Sequence, residues 1–331
     1  MIPEHPSHQI LDSSKLDDYL TCPRRFFFCH VLGWRLDQPA HDLYFGTCWH
    51  CAREWQLIHG YEDLEGAYHA FIVPYREQFD EESDELYRPK TPDAVWQALA
   101  NFSITYYRDL DENKLLRNPE TNEPFTEISG IVPIDDKRVL HFRMDSLLQR
   151  KSDGKIFSWD HKTTKASYIS YPTWDKQFYL SLQNGTYTHC MFCLFPVEQV
   201  LGVEFCGCGF EYLSRGSAAR PAGYYSTLRR VPAWKTPDQM NVWLWTVLNL
   251  LQDIDRDFDR LSDCKEDDDI LMAFQINPGG CTKYRGCEFH DYCMAWPNPL
   301  RQCQEAPLGF RTEFWNPADM DSRNKMRLTW K

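Results

Sequence analysis

Val139-Leu140-His141-Phe142-Arg143-Met144-Asp145-Ser146-Leu147-Leu148-Gln149, then Arg150-Lys151-Ser152-Asp153-Gly154-Lys155, then Ile156-Phe157-Ser158-Trp159-Asp160-His161-Lys162 is the stretch that decides the fold. Apolar and polar residues alternate on both sides of Asp153-Gly154, a dipeptide that favours a two-residue type I′ hairpin turn. With those two residues as the turn, Asp145 faces Lys162 and Asp160 lies diagonally beside them. Leu140, Phe142, Met144, Leu148, Phe157 and Trp159 then share one face, which reads as core. Asp145, Gln149, Ser158, Asp160 and Lys162 share the other, which reads as a site. A slip of one residue would mix the two sets, so the pattern selects its own register.

Outward from the hairpin, residues 127–134, 200–213 and 224–231 read as further strands. On the N-terminal side, Ser13 and Ser14 are candidate caps of a helix running toward Phe26-Phe27-Phe28. Residues 44–59, residues 63–82 with Pro74 inside, and a segment opened by Thr91-Pro92-Asp93 read as three more helices. Residues 171–190 and 237–261 return to helix, and from Pro278 onward the chain is rich in cysteine and proline. The order predicts an N-terminal helical region over 1–120, a sheet-bearing core over 121–235, and a C-terminal helix with a cysteine-rich segment over 236–331.

The chain has 331 residues, 36 basic against 48 acidic, for a net charge of −12. That balance argues against indiscriminate coating of nucleic acid, yet it leaves room for metal-binding carboxylates. Apolar residues at 43% and charged residues at 25% indicate a folded globular chain. No apolar run approaches the ~20 residues of a membrane helix, and residues 1–12 lack a signal-peptide pattern, so no membrane partner is expected. A cytoplasmic protein with reduced thiols follows as the expectation, and thirteen cysteines then invite a search for a soft-metal site. P-loop, nucleophile-elbow and dinucleotide fingerprints are missing, so any unwinding needs a separate protein or an unpaired substrate.

Two carboxylates and a lysine on one sheet face suit a hard cation such as Mg²⁺ or Mn²⁺, with Lys162 orienting a water or offsetting developing charge. A solvated strand face with a cross-strand ion pair is the plain alternative. Further motifs extend the pattern. Asp145 followed by Asp160-His161-Lys162 resembles the signature of the PD-(D/E)XK nucleases. Gly46-Thr47-Cys48-Trp49-His50, Gln183-Asn184-Gly185-Thr186-Tyr187 and the opening Ser14-Lys15-Leu16 through Phe26 resemble that superfamily's RecB-like exonuclease branch. The matches run in the family's order from about residue 13 to 293. Arg143-Met144-Asp145 departs from the signature in lacking a proline before the aspartate.

The resemblance implies an α/β fold with a restriction-endonuclease-like core, a mixed central sheet flanked by helices. It implies His50, Asp145, Asp160 and the His161 backbone carbonyl as metal ligands, with Asp145, Asp160, Lys162, Gln183 and Tyr187 as catalytic residues. A packed core histidine at position 50 and ordinary helix packing at 183 and 187 remain the structural alternatives. Glu127 reads as a structural or outer-shell acid.

Cys281, Cys287 and Cys293, spaced Cys-x5-Cys-x5-Cys among freely turning glycines, suit a cluster or zinc cage but lack a local fourth ligand. In iron–sulfur members of the resembled branch, which include AddB-type and CRISPR-adaptation nucleases, a lone N-terminal cysteine completes the set, and Cys22 stands at the matching position. The resemblance therefore implies a [4Fe-4S] cluster, with zinc as the alternative. Cys303 or His290 could instead complete a local zinc site. Cys48 with Cys51, Cys190 with Cys193, and Cys206 with Cys208 read as structural.

The function expected is a metal-dependent deoxyribonuclease, an exonuclease on single-stranded DNA or DNA ends, in a bacterial or phage-infected cell and served by a separate helicase or recombination partner. A non-catalytic DNA-binding or scaffold protein keeping the fold is the alternative. Arg24/Arg25, Lys162/Lys165, Arg215/Arg220, Arg229/Arg230 and the tail 323–327 are candidate phosphate contacts, and Tyr168, Tyr171 and Trp174 candidate stacking residues.

Overall fold

In the computed structural model, which describes residues 2, 4–38, 40–283, 286–319 and 324–329, the Arg150 N–H donates to the Lys155 carbonyl at 2.8 Å and closes a loop over 151–154. The Asp153 carboxylate accepts from Arg150 Nε and Nη2 at 2.9 and 2.5 Å, and Gly154 takes φ +71°. The loop is therefore longer than the expected two-residue turn. Ser146 pairs with Trp159 and Leu148 with Phe157. Carried one step further, this register sets Asp145 opposite Asp160, not Lys162. The shift is even, which alone would leave every side chain on its face. Leu147, however, joins Leu140, Phe142 and Met144 in the main core while Leu148 does not, so the alternation changes phase between Met144 and Leu147.

The expected single core face divides in two. Leu140, Phe142 and Met144 join the main core, whereas Leu148, Phe157 and Trp159 pack with Phe102 and Cys206 in a smaller one. Gln149 and Ser158 do not reach the site. Gln149 donates to the Gly154 carbonyl at 3.1 Å, and Ser158 is buried.

Along the chain run α1 (Ser13–Thr21), α2 (Pro23–Phe26), β1 (Trp34–Leu36), α3 (His41–His59), α4 (Leu64–Arg76), α5 (Pro92–Thr105), α6 (Asp109–Glu112), β2 (Asn113–Leu115), β3 (Thr126–Pro133), β4 (Val139–Arg150) and β5 (Ile156–Lys165). They are followed by α7 (Ala166–Ile169), α8 (Lys176–Tyr179), α9 (Leu182–Leu194), β6 (Val200–Leu213), β7 (Gly223–Trp234), α10 (Pro237–Asp263), α11 (His290–Ala295), β8 (Phe310–Thr312) and β9 (Asn324–Arg327). The N-cap of α1 is Asp12, whose carboxylate accepts the Lys15 N–H at 2.8 Å, and not Ser13 or Ser14. The helix stops at Cys22, which is extended and turns the chain into α2. The helix expected over 171–190 is broken at Ser181, whose side chain caps α9.

The main sheet has the order β7-β6-β5-β4-β3-β9, with β2 also pairing β4. β5 runs parallel to β6 and β3 parallel to β9, and the other neighbours are antiparallel. Parallel pairing of β5 and β6 needs a crossover, supplied by α7 to α9, and this brings α9 back across the sheet. A Cβ on Gly185 would lie 2.0 Å from Trp243, so glycine there lets α10 press against α9. No described helix is long and apolar enough to cross a membrane.

Candidate functional site

Helix α3, the strands β4 and β5 and helix α9 each deliver part of one cleft of about 380 Å³. His50, Asp145, Asp160, His161, Lys162, Gln183 and Tyr187 all line it, together with Gly46. Gly46 and Tyr187, 141 positions apart, are thus joined by the crossover and by α3 lying over β5.

His50 is the hinge of the arrangement. Its Nδ1 lies 3.2 Å from Asp145 Oδ1, and its Nε2 donates to the His161 carbonyl at 2.8 Å. Asp145 Oδ2 accepts the His161 N–H at 2.7 Å. The backbone of His161 is therefore tied to both residues, while its ring is buried near Phe102 and His50. Burial alone would lower the His50 pKa, but Asp145, Glu127 and Asp160 outweigh it and push it up to about 9. Burial likewise opposes ionisation of Asp145, yet His50, His161 and Lys162 hold its carboxyl well below the usual range.

Lys162 Nζ sits 2.6 Å from Asp160 Oδ1 and donates to Gln183 Oε1 at 2.9 Å. Gln183 Nε2 donates in turn to the Tyr187 hydroxyl at 3.0 Å, the two residues being one helical turn apart on α9. Asp160 is 1% exposed, and burial raises its pKa against the pull of Lys162.

Glu127 joins the site more closely than an outer-shell acid. One ligand atom each from His50, Glu127 and Asp145 lie within 4.8 Å of one another, a donor set suited to a divalent cation. Thr126 pairs with Ser146 and Ile128 with Met144, so Glu127 stands beside Asp145 across the β3–β4 pair. Its backbone takes φ +46°, a strained value for a side chain of this size. Arg143 holds the carboxylate at 2.5 Å. The signal was present in the hairpin of residues 127–145, whose closing contact runs from the Ile134 N–H to the Arg138 carbonyl.

Cys293 feels the charge of the other three cysteines of the set. Burial raises the Cys293 thiol to about 12, reinforced by Cys22, Cys287 and Cys281 and opposed by Arg24. The Asn277 N–H donates to Cys22 Sγ at 3.3 Å, and Asn277 Nδ2 donates to the Thr21 carbonyl at 2.9 Å. Arg24 Nε reaches the Phe274 carbonyl at 2.9 Å and Arg25 reaches Glu288 at 3.0 Å. These bonds fasten the first helices to the cysteine-bearing segment. The alternatives Cys303 and His290 turn elsewhere, Cys303 to the Leu300 carbonyl and His290 to Asp291. Tyr284 and Arg285, between the cysteines, and Arg323 in the basic tail lie outside the described residues.

Several candidate DNA contacts have partners within the protein. Arg24 and Arg25 serve the N-terminal fastening, Arg229 binds Asp175 at 2.6 Å, and Arg230 pairs with Asp109. Trp174 is 4% exposed and packs on Phe178. Tyr168 and Tyr171 are exposed, and Lys165 and Arg220 line a separate groove with Arg88.

A sequence model of the PD-(D/E)XK nuclease superfamily matches residues 13–294, most of the chain. The protein belongs to that superfamily, and its mixed sheet flanked by helices is the restriction-endonuclease-like fold. Nucleases of this class use divalent metals, and the His50, Glu127 and Asp145 donors form an acidic site that fits one. No curated protein matches the chain.

Proposed function

We propose that this nuclease is an exonuclease that hydrolyses phosphodiester bonds of single-stranded DNA or DNA ends. The observation that carries the reading is the position of Lys162 Nζ, between Asp160 and Gln183 and beside the His50–Asp145 pair. Asp145, Asp160, Glu127, His50 and the His161 carbonyl would hold Mg²⁺ or Mn²⁺, whose part is to polarise the phosphate and acidify a water. Lys162 donates a hydrogen bond to the attacking water and balances charge that builds on the phosphate. Asp160 aims that ammonium across a 2.6 Å contact. Gln183 fixes its remaining freedom, and Tyr187 fixes Gln183. Water oxygen bonds to phosphorus as the bond to the sugar oxygen breaks, with the proton passing to solvent or to the departing oxygen.

The cysteines Cys22, Cys281, Cys287 and Cys293 support a structural metal centre. The motif resemblance favours a [4Fe-4S] cluster there, with zinc as the alternative, and the Asn277 N–H on Cys22 is a donor of the kind thiolate ligands accept. Circular and end-labelled linear single strands, incubated with Mn²⁺, test the exonuclease assignment. Loss of the linear strand alone is expected, and equal loss of both would make the enzyme an endonuclease.

A further inference from the structure

The superfamily match ends at residue 294, but the chain does not leave the catalytic cleft there. The Phe310–Thr312 strand pairs antiparallel with Trp34–Leu36, and the Glu313 N–H donates to the Gly33 carbonyl at 2.7 Å. Phe314 stacks on His5 at 3.9 Å and closes over Gly33, where a Cβ would lie 3.0 Å from the ring. Trp315 and Pro317 then line the cleft that holds His50, Asp145, Asp160 and Lys162. Farther on, β9 joins the edge of the main sheet beside β3. The segment is therefore anchored before and after it passes the catalytic residues.

Trp315 gives the cleft wall an indole. It is 38% exposed, so an aromatic face of this size is available beside the catalytic groups. Its indole is also held in orientation, because Nε1 donates to Asp12 Oδ2 at 3.0 Å while Asp12 Oδ1 caps α1. An oriented, half-open indole at the wall of a cleft that cleaves a polynucleotide is a stacking platform with its ordering cost already met. A base still paired in a duplex cannot present its face to such a wall, whereas an unpaired one can.

We propose that Trp315 stacks on an unpaired nucleobase next to the scissile phosphate, and that this extension beyond the superfamily region gives the enzyme its preference for single strands. The inference rests on the reading of the cleft as a DNA-cleaving site. Its test is binding of a fluorescein-labelled oligodeoxythymidylate in Ca²⁺, compared with an oligomer of equal length carrying abasic sugars throughout. Trp315→Ala is expected to weaken thymidylate binding on the order of tenfold and to leave abasic binding unchanged. Trp315→Phe keeps a ring but loses the bond to Asp12, and is expected to stay within about threefold of wild type, since stacking tolerates a change of ring. If holding Asp12 were its whole role, Phe and Ala would behave alike.

Equal weakening on both oligomers, no weakening on either, a phenylalanine variant as poor as the alanine one, or a wild type that binds neither would overturn the proposal. Mn²⁺-dependent cleavage by the wild type is measured in parallel. Absent cleavage with the stacking pattern intact would sink the nuclease reading and leave Trp315 as a base-binding residue. Cleavage without the pattern would do the reverse.

Discussion

His50 Nε2, on a helix, lies 2.8 Å from the carbonyl oxygen of His161, on a strand 111 residues further along the chain. The other ring nitrogen faces Asp145. With both nitrogens donating, the imidazole is a cation bridging two oxygen atoms that a metal would also seek. Proton and metal therefore compete for one place.

The consequence is proton release on metal binding. The His50 pKa is raised to about 9, so the ring is charged at neutral pH and must lose its proton to become a ligand. Calorimetric titration with Mn²⁺ near neutral pH, in buffers of different ionisation enthalpy, is expected to report about one proton released per ion. Apparent affinity rises with pH and levels off above about 9, where the ring is already neutral. Affinity flat across this range, with no buffer dependence, would show that His50 does not ligate.

Glu127 sharpens the same point. Its strained φ of +46° and its place within 4.8 Å of His50 and Asp145 ligand atoms argue that it helps hold the ion. Glu127→Gln keeps the shape and removes the charge. It is expected to weaken Mn²⁺ binding by about 10- to 100-fold, as read by electron paramagnetic resonance of free Mn²⁺. Unaltered affinity would return Glu127 to a purely structural partner of Arg143.

Gln183 acts through Lys162, accepting its ammonium at 2.9 Å. Gln183→Ala frees the lysine to swing, so kcat is expected to fall on the order of 10- to 100-fold while KM for DNA changes little. Gln183→Glu retains the acceptor and should recover part of that loss. A change confined to KM would mean that Gln183 meets substrate directly.

Gly130 tests the anchoring of the C-terminal extension. A Cβ there would lie 1.8 Å from the Met326 carbonyl oxygen, so only glycine admits β9 at the edge of β3. Gly130→Val is expected to release residues 324–327 to limited proteolysis and to cost about 1–3 kcal/mol of stability. Protection equal to wild type would contradict the docking.

With the proposed [4Fe-4S] cluster at these cysteines, Cys287→Ala should lower iron content and solubility together, because the fastening of Cys22 to the 281–293 segment spans most of the chain. Full iron loss from a protein that stays soluble and protease-resistant would make the centre dispensable for folding.

Much of this was legible in the residues themselves. Alternation around Asp153-Gly154 identified the strands and the shared face of Asp145 and Asp160. The resemblance to the superfamily's motifs implied His50, Lys162, Gln183 and Tyr187 as site residues, and all four line one cleft. The turn length was not legible, because the bidentate Arg150–Asp153 pair stabilises a longer loop than Asp-Gly alone favours. Asp12 displaced Ser13 as the cap because its two carboxylate oxygens serve both the Lys15 N–H and the Trp315 indole. Trp315 and β9 were hidden for a different reason. Asn324-Lys325-Met326-Arg327 carries no strand pattern, and it pairs because Gly130 leaves room for it. Long-range fit of that kind is invisible to local periodicity.

The most direct measurement is the rate of Mn²⁺-dependent degradation of end-labelled single-stranded DNA by wild type and by Lys162→Ala, both purified anaerobically and shown to be folded and to bind metal. Rapid loss of label in the wild type, with activity in the variant reduced by about 100-fold or more, is the expected result. Equal rates in the two proteins, or no cleavage by a metal-loaded wild type, would contradict the assignment of this cleft as the catalytic site.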